Sequence, residues 1–264
     1  MYCHIIGYPL NKPRSVKIWK NFFKKNHITC KMTAKEIDPK KLSNCLKKFK
    51  SDNEFLATAV TMPLKDKVSE YISYGNSISK HAKSINLILK KNNSLIGYNT
   101  DVVGALETVK KIKKKNIMIF GMGGTGKSIL RVFQNKFKKT DFHIISSKRH
   151  PEFKKIKNIN LNKDIKSKDL KNIDLFINCS PLGSCLSEIY KNKTPLLKYQ
   201  IQLLKKSCVI FDIVYAPKLT ILGKLSKESG IKFINGIKMN TIQANYALKK
   251  IQKVLPKNLL NIKV

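Results

Sequence analysis

From Ile117 to Phe120 four apolar residues run straight into Gly121-Met122-Gly123-Gly124-Thr125-Gly126-Lys127-Ser128, and Ile129 to Phe133 resumes an apolar pattern. Strand, tight turn and helix are implied, an arrangement in which backbone N–H groups and the positive end of a helix face one point and hold a phosphate. Two patterns overlap in this stretch. Gly121, Gly123 and Gly126 satisfy GxGxxG, the dinucleotide turn, whereas Gly121, Gly126, Lys127 and Ser128 satisfy GxxxxGK[ST], the nucleoside-triphosphate loop. One reading makes an oxidoreductase and the other a P-loop NTPase.

Each reading makes a further demand on the chain. For the NTPase, Cys208-Val209-Ile210-Phe211-Asp212 is an apolar strand ending in an acid, the form of a magnesium-binding partner. Position counts against it, because about a hundred residues of a separate α/β pattern come first. For a dinucleotide, the second strand of the unit should end in an acid for NAD, or in basic and small polar residues for NADP. That strand is Phe142 to Ser146, followed by Ser147-Lys148-Arg149, while Asp141 lies before it, on the wrong side. NADP(H) is therefore preferred to NAD. Gly121, Gly123, Gly124, Thr125 and Gly126 would line the pyrophosphate, Ser147, Lys148 and Arg149 the ribose 2′-phosphate, and Lys127 would be an incidental cation beside the turn.

The rest of the chain reads as alternating strands and helices, which favours sheets flanked by helices. Strands are expected at His4–Tyr8, Thr29–Ile37 and Phe55–Met62. Helices are expected after Ser15, with Val16, Ile18, Trp19, Phe22 and Phe23 on one face, and from Pro39 through Phe49. A helical segment follows over Lys65–Ser79, then a hairpin of Ser84–Leu89 with Ser94–Tyr98, then a long helix, Val102–Lys115. Beyond the glycine turn come strands at Leu175–Asn178, Val209–Ile213 and Lys232–Ile234, a helix at Leu219–Ser229, and a last helix, Thr241–Val254. The fold class is α/β: an N-terminal α/β substrate domain, residues 1–101, and a doubly wound parallel-sheet Rossmann domain, residues 102–237. The closing segment, 238–264, returns to the first domain.

Fifty-three basic residues against sixteen acidic ones give a formal charge of +37. Only Arg14, Arg131 and Arg149 are arginines, and the lysines are spread over nearly every segment. Nucleic-acid readers rely on arginine for bidentate contacts, so a solvated lysine surface is the preferred reading and nucleic acid is not an expected partner. Anionic small molecules should still be drawn in. The six cysteines form no CxxC pair and the histidines do not cluster with them, so no metal site is expected. No apolar run nears the ~20 residues that span a bilayer, and no signal-peptide core follows Met1. A cytoplasmic protein without membrane contact, monomeric or homodimeric, is the expectation.

Several further segments carry a resemblance, in the right order and along nearly the whole chain. Gly7-Tyr8-Pro9-Leu10, Val60-Thr61-Met62-Pro63-Leu64-Lys65, Ile85-Asn86, Gly97-Tyr98-Asn99-Thr100-Asp101-Val102-Val103-Gly104, Asn178-Cys179-Ser180-Pro181-Leu182-Gly183, and Phe211-Asp212-Ile213-Val214-Tyr215 with Pro217 and Thr220 resemble motifs of the shikimate dehydrogenase family. Gly236, Met239, Gln243 and Ala244 fall at the spacing of that family's final helix. The resemblance implies NADP-dependent interconversion of 3-dehydroshikimate and shikimate, within aromatic amino acid and chorismate biosynthesis, with Lys65 and Asp101 as the catalytic pair. It further implies substrate contacts from Ser15, Thr61, Asn86, Tyr215 and Gln243, cofactor contacts from Ser180, Gly236 and Met239, and a structural Asp212 that needs no magnesium. The chemistry suits these residue types. A lysine can give a proton to a carbonyl oxygen, and a carboxylate can hold that ammonium in place. Asp101 has an alternative reading as a helix cap. The chain departs from the family at Pro13, where a carboxylate-binding serine is usual, and at Ala59, Leu87, Lys238 and Asn240. Lys12 or Arg14 stands near enough in sequence to replace the lost hydroxyl. A diverged paralogue acting on quinate or an aminoshikimate-type ring is the alternative within the fold.

Overall fold

A computed structural model describes residues 1–10, 13–153 and 158–256. Lys12, and the part of the closing segment beyond residue 256, lie outside the described residues. The chain divides into two units, Met1–Val103 together with the chain from Ile242 onward, and Gly104–Thr241.

The first unit is built from β1 (Tyr2–Gly7), α1 (Arg14–Lys25), β2 (Lys31–Glu36), α2 (Leu42–Ser51), β3 (Phe55–Val60), α3 (Leu64–Lys67), β4 (Ser73–Tyr74), α4 (Ser77–Ala82), β5 (Leu87–Lys91), β6 (Ser94–Tyr98) and the start of α5 (Thr100–Thr108). Its sheet runs β2-β1-β3-β5-β6-β4, with β1 parallel to β2 and β3, and β5 antiparallel to β3 and β6. Alternation sorts the side chains of β1 and β5 onto two faces. Cys3, Ile5, Leu87 and Leu89 pack with Trp19 and Phe23 of α1, whereas Ile6 and Ile88 pack with Leu42, Cys45, Leu46 and Phe49 of α2. The α2 residues recur at i, i+3, i+4 and i+7, the stripe a helix needs to cover a sheet. Every residue of β3 is buried, as its place inside the sheet requires.

Three expectations fail in this part of the chain. Lys65–Ser79 is not one helix: α3 ends after four residues, a single 3₁₀ turn and β4 follow, and α4 starts only at Ser77. α5 stops at Thr108 instead of running to Lys115. The segment beyond carries Lys110, Lys111, Lys113, Lys114 and Lys115, whose like charges at helical spacing disfavour further turns. The helix expected after Ser15 already includes it. Pro13 occupies the cap position and Ser15 lies within the first turn of α1, partly exposed.

The second unit contains β7 (Asn116–Phe120), α6 (Gly124–Lys136), β8 (Asp141–Ile145), β9 (Ile159–Asn162), α7 (Ser167–Leu170), β10 (Leu175–Asn178), α8 (Glu188–Lys191), α9 (Lys198–Gln202), β11 (Val209–Asp212), α10 (Ile221–Glu228), β12 (Lys232–Ile234) and the start of α11 (Gly236–Gln252). All strands are parallel in the order β12-β11-β10-β7-β8-β9. Counted within the unit this is the doubly wound order, whose strand sequence reverses between β7 and β10. The strands β7, β10 and β11 are near-continuous apolar runs because both faces are covered. β9 had no expectation behind it, and α11 begins at Gly236 rather than Thr241. The Thr241 hydroxyl donates back to the Ile237 carbonyl, a contact of the helix interior.

Candidate functional site

In the first unit the chain brings Lys65 and Asp101 together from segments thirty-six residues apart. Pro63 precedes α3, Leu64 is sealed in the core, and Lys65 is left partly exposed on the opposite side of the turn. The Lys65 carbonyl accepts from the Ile85 N–H at 2.9 Å, which ties this turn to the strand entering β5. Asp101 lies in the first turn of α5, where the positive helix end favours a carboxylate. Capping falls to Asn99, whose Oδ1 accepts from the Val102 N–H at 3.0 Å, so Asp101 is free of that duty. Its Oδ2 instead accepts from Lys65 Nζ at 2.7 Å, with side-chain exposures of 20% for the lysine and 18% for the aspartate. Such partial burial keeps the pair reachable while sparing it much of the solvent screening that weakens surface ion pairs.

A second network abuts the residue before Asp101. Asn86 Nδ2 donates to Thr100 Oγ1 at 2.9 Å, and the Thr100 N–H donates to Asn86 Oδ1 at 2.7 Å. The Thr100 hydroxyl then donates to Gln243 Oε1 at 2.9 Å, reaching the final helix. Asn86 and Gln243 are thus joined through Thr100, which no sequence argument had singled out as functional. Its only signal was its place between Asn99 and Asp101. Thr61 follows β3, half-buried, with its N–H on the Ile6 carbonyl and its carbonyl accepting from Leu64.

In the second unit the glycine turn connects β7 to α6. Gly121 has φ +92°, and a Cβ there would come within 2.8 Å of the Ser180 backbone. A Cβ on Gly126 would stand 2.1 Å from the Gly121 carbonyl oxygen, so that glycine permits the close approach of helix to strand. Around Gly123 and Gly124 the same position is open space. One glycine for the turn, one for helix packing and an open backbone between them is the division of roles a pyrophosphate-binding turn needs. Ser180 follows β10 at the strand-order reversal, its hydroxyl and N–H both donating to Asn178 Oδ1. The residues present therefore fit a dinucleotide.

Ser147, Lys148 and Arg149 are exposed directly after β8. Behind them His150 is buried, its Nε2 within 2.9 Å of Ser146 Oγ, and Glu152 meets Lys127 Nζ at 3.2 Å. Lys127 thus braces the basic loop against α6. Asp212 is fully buried: Asn178 Nδ2 and the Val214 N–H donate to its Oδ1, and Thr220 Oγ1 donates to its Oδ2. Both oxygens are committed inside the protein and neither reaches solvent, which removes the magnesium ligand the NTPase alternative required. Burial raises the Asp212 carboxyl to about 6 against the pull of those three donors. Gly236 starts α11 with its hydrogen against the Ile213 carbonyl, where a Cβ would lie 2.1 Å away, and Met239 is buried. Tyr215 is partly exposed after β11. Among the described residues no group of three or more His, Cys, Asp or Glu could hold a metal ion, and no helix is long and apolar enough to cross a membrane.

Comparison with known proteins points to one family. The sequence profile of the shikimate dehydrogenase substrate binding domain matches residues 5–88. A shikimate dehydrogenase (NADP(+)) of Clostridium botulinum is 29% identical over 92% of this chain and 93% of its own length. Among solved structures, shikimate 5-dehydrogenase from Listeria monocytogenes, in complex with shikimate and NAD, superposes with a TM-score of 0.81 at 20% identity, covering 97% of this chain and 93% of that one. The Thermus thermophilus enzyme in complex with NADP(H) and shikimate gives 0.78 at 19% identity, covering 97% and 95%.

Proposed function

We propose that the chain is a member of the shikimate dehydrogenase family and catalyses the reversible NADPH-dependent reduction of 3-dehydroshikimate to shikimate. The observation that carries this reading is the 2.7 Å contact of Lys65 with Asp101. When bound, the nicotinamide supplies or takes up the hydride. Lys65 Nζ gives its proton to the carbonyl oxygen in the reductive direction and recovers one from the hydroxyl in the other. Asp101 fixes the ammonium and accepts a hydrogen bond from the reacting hydroxyl, which restricts the geometry in which the proton can pass. Asn86, held by Thr100, and Gln243 present polar groups to the ring hydroxyls, and we further assign Ser15 and Thr61 of the first unit and Tyr215 of the second to the substrate. A ligand lacking those hydroxyls would leave buried polar groups unpaired, the strongest basis for discrimination.

The first unit takes the substrate role and the second the cofactor role. Gly121 to Gly126 hold the pyrophosphate, with Ser180, Gly236 and Met239 alongside, and Ser147, Lys148 and Arg149 receive the 2′-phosphate. A cytoplasmic monomer or homodimer without a nucleic-acid partner completes the reading. NADPH absorbance followed with 3-dehydroshikimate tests it: Lys65→Ala should lower kcat by about 10²- to 10⁴-fold. Turnover unchanged in that variant would overturn the mechanism. Pro13, at the cap of α1 where no side-chain hydroxyl caps the helix, favours a second reading, a related ring with altered carboxylate contacts. A panel with quinate and aminoshikimate separates the two.

A further inference from the structure

The first unit also holds two thiols in contact. Cys3 lies on β1 and Cys30 directly before β2. The two strands pair in parallel with Tyr2 opposite Lys31, and the residue entering β2 turns its side chain along the strands to that of Cys3. Their Sγ atoms are 3.6 Å apart. Cys3 is fully buried and Cys30 is partly exposed, bordering a cleft of about 450 Å³. The cleft is also lined by Phe23 and Met32 and by three cations, Lys20 and Lys24, one turn apart on α1, and Lys31 on β2. Apolar walls, three exposed lysines and a partly exposed thiol form a site suited to a small anionic molecule with a sulfur of its own.

The two thiols differ in reactivity. The hydrogen bond from Cys3 holds the Cys30 thiol below the usual cysteine range, and burial drives Cys3 well above it. Burial also raises Cys45, Cys179 and, to about 12, Cys208. The thiolate is the nucleophile in exchange, so Cys30 is favoured over these three.

We propose that Cys30 is a modification site for low-molecular-weight disulfides bearing carboxylates, with the adjacent Cys3 as the thiol that resolves the adduct. Cys30 Sγ, as thiolate, attacks one sulfur of the small disulfide; that S–S bond breaks and the departing thiolate takes up a proton. The mixed disulfide on Cys30 is then attacked by Cys3 Sγ, which gives up its proton, and the second small thiol leaves. The two protein thiols lose two electrons in forming one disulfide, and the small disulfide gains two in becoming two thiols. The sulfurs must close from 3.6 Å to a bond of about 2.05 Å.

Incubation of the full chain with oxidised glutathione near neutral pH, followed by peptide mass mapping, tests this. Expected in the wild type is a Cys3–Cys30 linked peptide, lighter by two hydrogens and reversed by dithiothreitol. In Cys3→Ser, one glutathionyl group should persist on Cys30 and form faster than on the exposed Cys185. Replacing Lys20 and Lys24 by alanine should slow the reaction with oxidised glutathione by about three-fold or more, yet leave that with the uncharged hydroxyethyl disulfide unchanged. Modification confined to Cys185, absence of the linked peptide, or equal slowing of both disulfides would overturn the proposal.

Discussion

Replacement of Asp212 by asparagine keeps the shape of the most enclosed acid in the second unit and removes its charge. The carboxyl is raised from an ordinary 3.8 to about 6 by burial, with Thr220, Val214 and Asn178 partly offsetting that cost. The folded protein therefore holds this proton more tightly than the unfolded chain, and the stability it confers is complete below about pH 4 and lost as pH rises through 6. At 1.36 kcal/mol for each tenfold step in proton affinity, a separation of about 2 amounts to ~3 kcal/mol. Asparagine does not titrate, so the variant should gain on the wild type as pH rises, by ~2 kcal/mol between about pH 4 and pH 8. Any constant loss from a weakened Thr220 contact drops out of that comparison. Urea unfolding followed by a probe in the second unit, at several pH values, reads the difference directly. A difference that stays flat with pH, or moves the other way, refutes the picture of a sealed, strongly desolvated carboxylate. Magnesium-dependent stabilisation of the wild type that disappears in the variant would instead revive the NTPase alternative.

Thr100→Val keeps volume but breaks the link from Asn86 to Gln243 and strands their polar groups. KM for the ring substrate should rise about ten-fold, from ~1.4 kcal/mol of lost orientation, with NADPH binding unchanged in a fluorescence titration. Gly126→Ala drives a methyl against the Gly121 carbonyl, and overpacking of this kind costs ~1–3 kcal/mol. Calorimetry should show a lowered Tm together with weakened NADPH binding, and an unaffected variant would contradict the close helix–strand approach. Lys127→Ala severs a partly exposed ion pair with Glu152, worth ~0.2–1 kcal/mol. Its KM for NADPH should rise only a few-fold with kcat retained, whereas abolished turnover would mark Lys127 as more than a brace.

Much of the architecture could be read from local pattern. β12 falls where Lys232–Ile234 was expected, and α2 carries its buried face at the anticipated spacing, because both follow from side-chain periodicity. The three glycines around the turn were visible too, although only their surroundings separate the turn-making Gly121 from the packing Gly126. What escaped depends on contacts distant in sequence. In the sequence Asp101 has the look of a cap for α5, whereas Asn99 holds Val102, and Thr100 gains its role only because residues 86 and 243 meet there. The end of α5 was misjudged for a different reason: the lysines after Thr108 are good helix formers one at a time, and their mutual repulsion is a property of the group. Lys127 and Glu152 offered no pairing signal in a chain so rich in lysine.

The last helix carries a consequence for how the molecule is made. Ala247, Leu248, Ile251 and Leu255 fill the same core as Cys3, Ile5 and Trp19, and Gln243 completes the hydrogen bonds around Thr100. During synthesis, the second unit is continuous and can close its own sheet as soon as it clears the ribosome. The first unit, begun earlier, must wait with a face of its sheet uncovered until the end of the chain emerges. Loop closure over the whole intervening unit makes that step late and the waiting intermediate prone to association. A nascent chain halted before residue 242 should therefore bind NADPH, recruit chaperones to its open apolar face, and turn over no substrate.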